Sequence, residues 1–223
     1  MSEPSSRRDD DHFDNSAKTA YREGHLTALR EHAPELWEDE DRLRLRGAWL
    51  ELMGATGWRT RDLLVSSGVL PSDRFVGVDL DADRIAAYRA RYPDSRWLAG
   101  DLLDLIDCPE LHDVTVLHYD GYEAVGGPRL EHVGHQLASA LQRSVARHSA
   151  AALVWNADLD ACRLQHRAPD QALQRHAQLL ARLLRDALGP RRGLLATDLL
   201  PTGGEQLPAD PAFTGWAGRF EIY

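Results

Sequence analysis

The sequence contains 223 residues, of which 43% are hydrophobic and 27% charged, and this composition is typical of a soluble globular domain. The formal net charge of −9 disfavours non-specific binding to nucleic-acid phosphates, although a local arginine patch can still bind them. No apolar run approaches the ~20 residues that span a bilayer, so no membrane segment is predicted.

The amino-terminal part of the chain differs in composition from the rest. Its first residues, MSEPSSRRDDDHFDNS, contain no apolar segment of the secretory type, and a disordered polar tail is predicted over 1–14. A helical extension is predicted over 15–46, with a helix at 16–32 followed by a short helix or turn. The two cysteines, Cys108 and Cys162, form no CxxC motif and indicate a reducing, cytoplasmic location.

Strand and helix patterns alternate through the rest of the chain. Five strands are predicted, at 48–53, 74–79, 96–101, 113–121 and 151–155. Helices are predicted at 58–66, 82–92, 129–147 and 170–188. The segments GLLATDLL and GWAGRFEIY predict two last strands, joined by a loop rich in glycine and proline.

This alternation predicts an α/β fold. We expect a doubly wound, mostly parallel seven-stranded sheet with helices on both faces, an antiparallel C-terminal hairpin and the N-terminal helical extension. In such sheets, ligands bind at the carboxyl ends of the strands, near the point where the strand order reverses. The loop after the first strand is expected to lie there.

The stretch WLELMGATGWRT, from Trp49 to Thr60, is unusual because a glutamate lies inside an apolar strand and two glycines follow it closely. The small loop residues allow a ligand to approach the backbone. Glu51, near the end of the strand, can accept hydrogen bonds from loop amides or from a cationic ligand group. An alternative is that Glu51 forms a salt bridge with an arginine.

Two further strands also end in acids. The second closes with Asp79, and a carboxylate in that place holds both ribose hydroxyls in dinucleotide-binding folds. The third runs into Asp101, which can meet the edge of an adenine ring. Either residue can instead cap a helix or a turn. Because three successive strands carry acids toward the same edge of the sheet, we expect one shared ligand site.

These motifs, in this order, resemble those of the class I S-adenosylmethionine-dependent methyltransferases, a Rossmann-like family. ELMGATG is similar to the first motif, VGVDLDADRI to the second and AGDLLDL to the third, and the likeness covers about 47–121. The resemblance implies a methyltransferase-like domain over 47–223 and S-adenosylmethionine as the cofactor. It assigns cofactor contacts to Glu51, Gly54, Ala55, Thr56, Gly57, Asp79, Leu80, Asp101 and Leu102.

The first motif departs from the family pattern at two positions. The family usually has glycine where Met53 and Ala55 stand. Met53 is therefore expected to crowd the methionine part of the cofactor. This departure is the main support for an alternative function, a non-catalytic interaction protein with the methyltransferase fold.

The segment HYDGYEAVGG follows the fourth strand and, by the resemblance, faces the methyl acceptor. His118 and Asp120 are the candidate acid and base, and Tyr119 or Tyr122 is expected to stack on a planar acceptor. No metal ligands are predicted, because neither the acids of this region nor the EHVGH segment forms a specific ligand set.

The function expected from these features is methyl transfer from S-adenosylmethionine to a small molecule. A nucleic-acid acceptor stays open, and the N-terminal helix is expected either to cover the site or to form a homodimer contact. Besides the interaction protein, another nucleotide-binding enzyme is an alternative, although the first loop lacks the GxGxxG that cradles a pyrophosphate.

Overall fold

The computed structural model describes residues 16–53, 57–124, 130–148, 150–158, 193–197 and 218–222, together with Arg182 and Asp186. Its helices are α1 (Ser16–His32), α2 (Trp58–Ser66), α3 (Ala82–Arg91), α4 (Leu102–Leu105) and α5 (Leu130–His148). Its strands are β1 (Ala48–Leu52), β2 (Phe75–Asp79), β3 (Arg96–Ala99), β4 (Val114–Ala124), β5 (Ala152–Asp158), β6 (Gly193–Thr197) and β7 (Gly218–Ile222). None of the helices in these ranges is long and apolar enough to cross a membrane.

Strands β1 to β5 form one parallel sheet in the order β3-β2-β1-β4-β5. The central strand β1 is buried along nearly its whole length, as its apolar sequence predicts. In register, Glu51 lies between Gly77 of β2 and His118 of β4. The strand order reverses between β1 and β4, so the predicted Rossmann-like arrangement of a parallel sheet is confirmed.

Helices cover both faces of this sheet, because neighbouring side chains of a strand point to opposite sides. Trp49 and Met53 pack on the face that carries α1, α2 and α3. Ala48 and Leu50 pack on the opposite face, together with α4 and α5. Burial of apolar side chains on both faces, at about 25 cal/mol per Å² removed from water, is the main stabilisation of such a layered fold.

Gly77, in the middle of β2, leaves a space that two large side chains fill. A Cβ atom at this position would lie 2.5 Å from Cζ3 of Trp97 and 2.8 Å from Sδ of Met53. Trp97 also stacks on Tyr88 of α3, with 5.3 Å between the ring centroids. Met53 is only 2% exposed, so its side chain packs in the core rather than beside a cofactor, which corrects the expectation from the sequence.

The prediction of a seven-stranded sheet is wrong. The sheet has five strands, whereas β6 and β7 pair with each other, antiparallel, in a separate two-stranded sheet. Apolar composition predicted both strands, but it does not specify which strand each one pairs with. The connection that would make β6 and β7 a hairpin lies outside the described residues, as does most of the helix predicted at 170–188.

Helix α1 packs into the same core as the central strand. Its Leu26 and Leu29 are buried in the cluster that contains Trp49. Trp37, which follows the helix, donates a hydrogen bond from its indole Nε1 to the carbonyl of Leu29 at 3.2 Å. The predicted extension is thus attached to the sheet, while the domain boundary at 46/47 stays a prediction.

Candidate functional site

The candidate site lies where the carboxyl ends of β1 to β4 meet, beside the reversal of strand order. Backbone hydrogen bonds hold these ends together. The Met53 N–H donates to the carbonyl of Val78 at 2.8 Å, and the Gly100 N–H donates to the carbonyl of Asp79 at 2.9 Å. The loops after β1, β2 and β3 therefore begin from a fixed edge.

The loop after β1 is tight at its end. Gly57 donates its N–H to the carbonyl of Met53 at 2.8 Å, and α2 begins at the next residue. A Cβ atom on Gly57 would lie 2.4 Å from that carbonyl oxygen, so only glycine fits here. The other predicted cofactor residues of this loop, Gly54, Ala55 and Thr56, lie outside the described residues.

Glu51 is 3% exposed, and its carboxylate accepts hydrogen bonds from three side chains. Trp49 donates from its indole Nε1 at 2.8 Å, and Thr60 of α2 donates from its hydroxyl at 3.0 Å. The third is His118 of β4, whose Nδ1 lies 2.6 Å from Oε2. Glu51 is thus held by the protein itself, which satisfies a buried carboxylate without a ligand. Neither loop amides nor an arginine is among these donors.

Helix α1 extends this buried cluster with two polar side chains. Arg22 donates from Nε to the hydroxyl of Thr60 at 3.2 Å. The ring of His25 meets that of His118 edge-to-face, with 5.3 Å between the centroids. Burial, reinforced by the charges of His118 and Arg22, lowers the pKa of His25 to about 3. His25 is therefore neutral near pH 7, and it adds no charge to that of Arg22.

Asp79 ends β2 with its side chain engaged on both oxygens. Oδ1 accepts the backbone N–H of Asp81 at 2.9 Å, and Oδ2 accepts Arg84 of α3 at 2.8 Å. This ion pair raises the pKa of Arg84. Leu80 beside it is 72% exposed, an unusual position for a large apolar side chain. A buried carboxylate and an exposed apolar side chain are thus adjacent at the edge of the sheet.

The loop after β3 brings Asp101 and Leu102 to the same edge in different environments. Asp101 is half-buried and caps α4 by accepting the Leu103 N–H at 2.9 Å, the capping role left open by the sequence. Gly100 before it has φ +148°, a conformation that favours glycine. Leu102 is 1% exposed and packs in the core, so its side chain does not line the edge.

The residues predicted on the acceptor side are divided between the two faces of the sheet. His118 is buried against Glu51, and Tyr119 is buried in the cluster on the opposite face. Both are at most 6% exposed, so neither ring is available for stacking or proton transfer at the surface in this conformation. The backbones of Asp120 and Tyr122 lie in β4, but their side chains are outside the described part.

Five residues of the site were not predicted from the sequence, namely Arg22, His25, Trp49, Thr60 and Arg84. Arg22 and Thr60 lie on α1 and α2, and the polar residues of these helices do not predict which side of each helix faces the sheet. Arg84 stands in the first turn of α3, five residues after Asp79, and that spacing is a signal that could have identified it. In the described part of the chain, no group of three or more histidine, cysteine or acidic side chains is arranged to hold a metal ion.

No protein-family model matches the sequence, and no curated protein matches it significantly. Among solved structures, the chain is similar to a TehB-like SAM-dependent methyltransferase from Corynebacterium glutamicum ATCC 13032. The two share 16% sequence identity with a TM-score of 0.38, over 80% of this chain and 86% of that chain. At these values the likeness does not assign a function.

Proposed function

We propose that this chain transfers a methyl group from S-adenosylmethionine to a small-molecule acceptor. The observation that carries the proposal is the end of β2, where buried Asp79 is followed by exposed Leu80, next to the strand β1 at which the strand order reverses. A carboxylate suits the hydroxyls of a ribose, and an exposed leucine suits the face of an adenine ring. Asp101 at the next strand end can add a polar contact to the base.

The residues present fit such a cofactor. A carboxylate offers about four acceptor positions, and Asp79 uses one for Asp81 and one for Arg84, so acceptor capacity for a diol is left. The close backbone approach of Gly57 to Met53 leaves no room for a side chain where α2 begins. When bound, the cofactor supplies an activated methyl group, and the protein mainly has to align the acceptor with it.

An acceptor with a neutral hydroxyl also requires a base, for which Asp120 and His118 are the proposed residues. Burial of His118 and its bond to Glu51 favour Asp120 for this role. Glu51 then acts within the protein, by fixing β1, β4 and α2 to one another. This assignment differs from the cofactor contact that the sequence resemblance implied.

A second candidate is a non-catalytic interaction protein with the same fold. The carboxylates of Glu51 and Asp79 both accept hydrogen bonds from the chain itself. A fold that satisfies its own acids needs no cofactor for stability. This candidate therefore predicts no measurable affinity for S-adenosylhomocysteine.

Calorimetry with S-adenosylhomocysteine separates the two candidates and tests Asp79. We expect the wild type to bind, and Asp79→Ala to lose about 1.5–3 kcal/mol of binding free energy, the size of hydrogen bonds to a charged group. Asp83→Ala, at an exposed position of α3, is the matched control and should bind like the wild type.

Three results would contradict the proposal or its site. No binding by the folded wild type favours the interaction protein, and binding of NAD instead favours another nucleotide enzyme. Unchanged affinity in a folded Asp79→Ala variant removes the ribose contact. Circular dichroism of each variant establishes that it is folded.

A further inference from the structure

Arg84 joins two carboxylates of the turn between β2 and α3. Its Nη1 lies 2.8 Å from Oδ2 of Asp79, and its Nη2 lies 3.6 Å from Oδ2 of Asp81. Backbone groups hold the turn itself, because Asp79 accepts the N–H of Asp81, and Asp81 accepts the N–H groups of Asp83 and Arg84. The arginine thus starts from a fixed backbone position, and its side chain returns to the acid at the end of β2.

The place of this arginine in its helix is unfavourable for a cation. Arg84 stands in the first turn of α3, where the aligned peptide dipoles disfavour positive charge. Its side chain is 37% exposed, and an ion pair with so exposed a member usually contributes little to stability. Neither helix formation nor fold stability therefore accounts for an arginine at this position, whereas its effect on Asp79 does.

That effect is a carboxylate fixed at both oxygens. Oδ1 of Asp79 is held by the backbone N–H of Asp81 at 2.9 Å, and Oδ2 is held by Arg84 at 2.8 Å. A carboxylate bonded at one oxygen only can still turn about its Cβ–Cγ bond, because that torsion has no sharp preference. Bonded at both oxygens, it keeps one orientation. Each oxygen retains an acceptor position, so two acceptors are left with fixed directions.

Two acceptors at a fixed separation suit one class of ligand group, a vicinal diol. Ribose with free 2′- and 3′-hydroxyls presents two neighbouring donors, whereas a deoxyribose presents one. A phosphorylated ribose is disfavoured, because three acids, Asp79, Asp81 and Asp83, surround the position against the single cation of Arg84.

We propose that Arg84 is a positioning residue for ribose recognition, which fixes the Asp79 carboxylate in the orientation that accepts both hydroxyls of the diol. Arg84 acts through Asp79 and need not touch the ligand. This inference rests on the proposed function and specifies how the same site distinguishes ribose from other sugars.

The test compares S-adenosylhomocysteine with its 2′-deoxyribose analogue by calorimetry, in the wild type and in Arg84→Gln. The wild type should bind the full ribose at least about tenfold more tightly, the effect of one hydrogen bond to a charged group. Arg84→Gln should weaken binding of S-adenosylhomocysteine about tenfold and reduce this preference to within about threefold, because the carboxylate is no longer held at both oxygens. A merely structural role of Arg84 would weaken both ligands equally and leave the preference unchanged.

Two further variants serve as controls. Arg84→Lys keeps a cation that can donate to Asp79, and it should regain a preference of at least about fivefold for the full ribose. Arg44→Gln, at an exposed arginine in the segment before β1, removes the same charge. It should bind both ligands within about twofold of the wild type, because distant exposed charges are screened.

The outcomes separate this inference from the proposed function. Absence of S-adenosylhomocysteine binding by the folded wild type overturns both. If the wild type binds and Asp79→Ala weakens binding, an unchanged preference in Arg84→Gln overturns the positioning role alone. Tighter binding by Arg84→Gln also overturns that role, since the arginine would then compete with the ribose for Asp79. Thermal unfolding of each variant establishes that it is folded.

Discussion

At the scale of single residues, Glu51 explains why an acid stands inside an apolar strand. Its carboxylate is the acceptor on which donors from three elements converge, namely Trp49 in β1, Thr60 in α2 and His118 in β4. In a low-dielectric interior each of these donors costs free energy if it is left unpaired. The three donors therefore need the carboxylate of Glu51 as an acceptor, and the buried carboxylate needs them as donors.

Replacing Glu51 by alanine should lower the free energy of unfolding by about 3–5 kcal/mol, because breaking a buried pair leaves a buried charge or donor without a partner. Urea denaturation monitored by circular dichroism measures this loss. Glu35→Ala, at an exposed position, should change stability by less than about 0.5 kcal/mol. A similarly small effect of Glu51→Ala would show that the cluster contributes little.

Two glycines allow the steric and the conformational role of glycine to be separated. Gly57 has an ordinary helical φ of −60°, but an added Cβ would lie 2.4 Å from the Met53 carbonyl oxygen. Gly68 has φ +74° and nothing within 4 Å of an added Cβ. Gly57→Ala should cost about 1–3 kcal/mol through overpacking, and Gly68→Ala about 1 kcal/mol through backbone strain.

Thermal unfolding ranks these two variants, and binding of S-adenosylhomocysteine distinguishes them further. Gly57→Ala displaces the loop beside the proposed cofactor and should weaken binding, whereas Gly68→Ala should leave binding unchanged. If Gly57→Ala is as stable as the wild type, the close approach to Met53 does not constrain the loop.

At the scale of elements, α1 is attached to the sheet in two different ways. Leu26 and Leu29 bury apolar surface, whereas Arg22 and His25 contact the polar cluster around Glu51. The second attachment depends on the protonation of His25, whose pKa is lowered from 6.5 to about 3. Burial and the neighbouring His118 and Arg22 all disfavour a charged His25, so acid should weaken this contact.

The sign of the pH effect follows from linkage. A histidine with a lowered pKa in the folded state stabilises the fold fully above pH 6.5, and this stabilisation is lost as the pH falls from 6.5 toward about 3. The loss is at most about 1.4 kcal/mol per pH unit for one proton. Urea denaturation at pH 7.5 and pH 5.5 should therefore show a larger decrease for the wild type than for His25→Leu.

His132→Gln, at an exposed histidine of α5, is the control for that comparison and should show the decrease of the wild type. Equal decreases in the wild type and His25→Leu would mean that His25 titrates alike in the folded and unfolded chain. Nuclear magnetic resonance of the His25 ring tests the lowered pKa directly, without a substitution.

The sequence predicted the positions of the strands and helices better than the tertiary contacts between them. Apolar runs predicted β1 to β3 closely, and α3 begins after a typical capping residue, Asp81, which accepts the N–H groups of Asp83 and Arg84 at 3.0 Å. Such signals act within a few residues along the chain. Strand β4 extends to Ala124, past the predicted end at 121, because its pairing with β5 continues there and that pairing is a tertiary contact.

At the scale of the whole molecule, the alternation of strands and helices was enough to predict a parallel sheet and the edge where its loops gather. It was not enough to place the last two strands, because pairing depends on which edge is free after the chain has folded. It also could not show that Asp79 faces Arg84 or that Glu51 faces His118. Acids at strand ends were visible in the sequence, but the side chains that bond to them are set by tertiary packing of strands and helices.

The close packing of Trp97 and Met53 against Gly77 also limits which substitutions this sequence can accept during evolution. Trp97 and Met53 both reach to within 2.8 Å of where a Cβ on that glycine would stand, so a larger residue there requires a smaller one at 97 or 53. A single change at any of the three positions leaves either a clash or a void, whereas a matched pair of changes restores the fit. Related proteins with this fold should therefore show these positions varying together, and a relative with glycine at 53 should fill the space from 77 or 97.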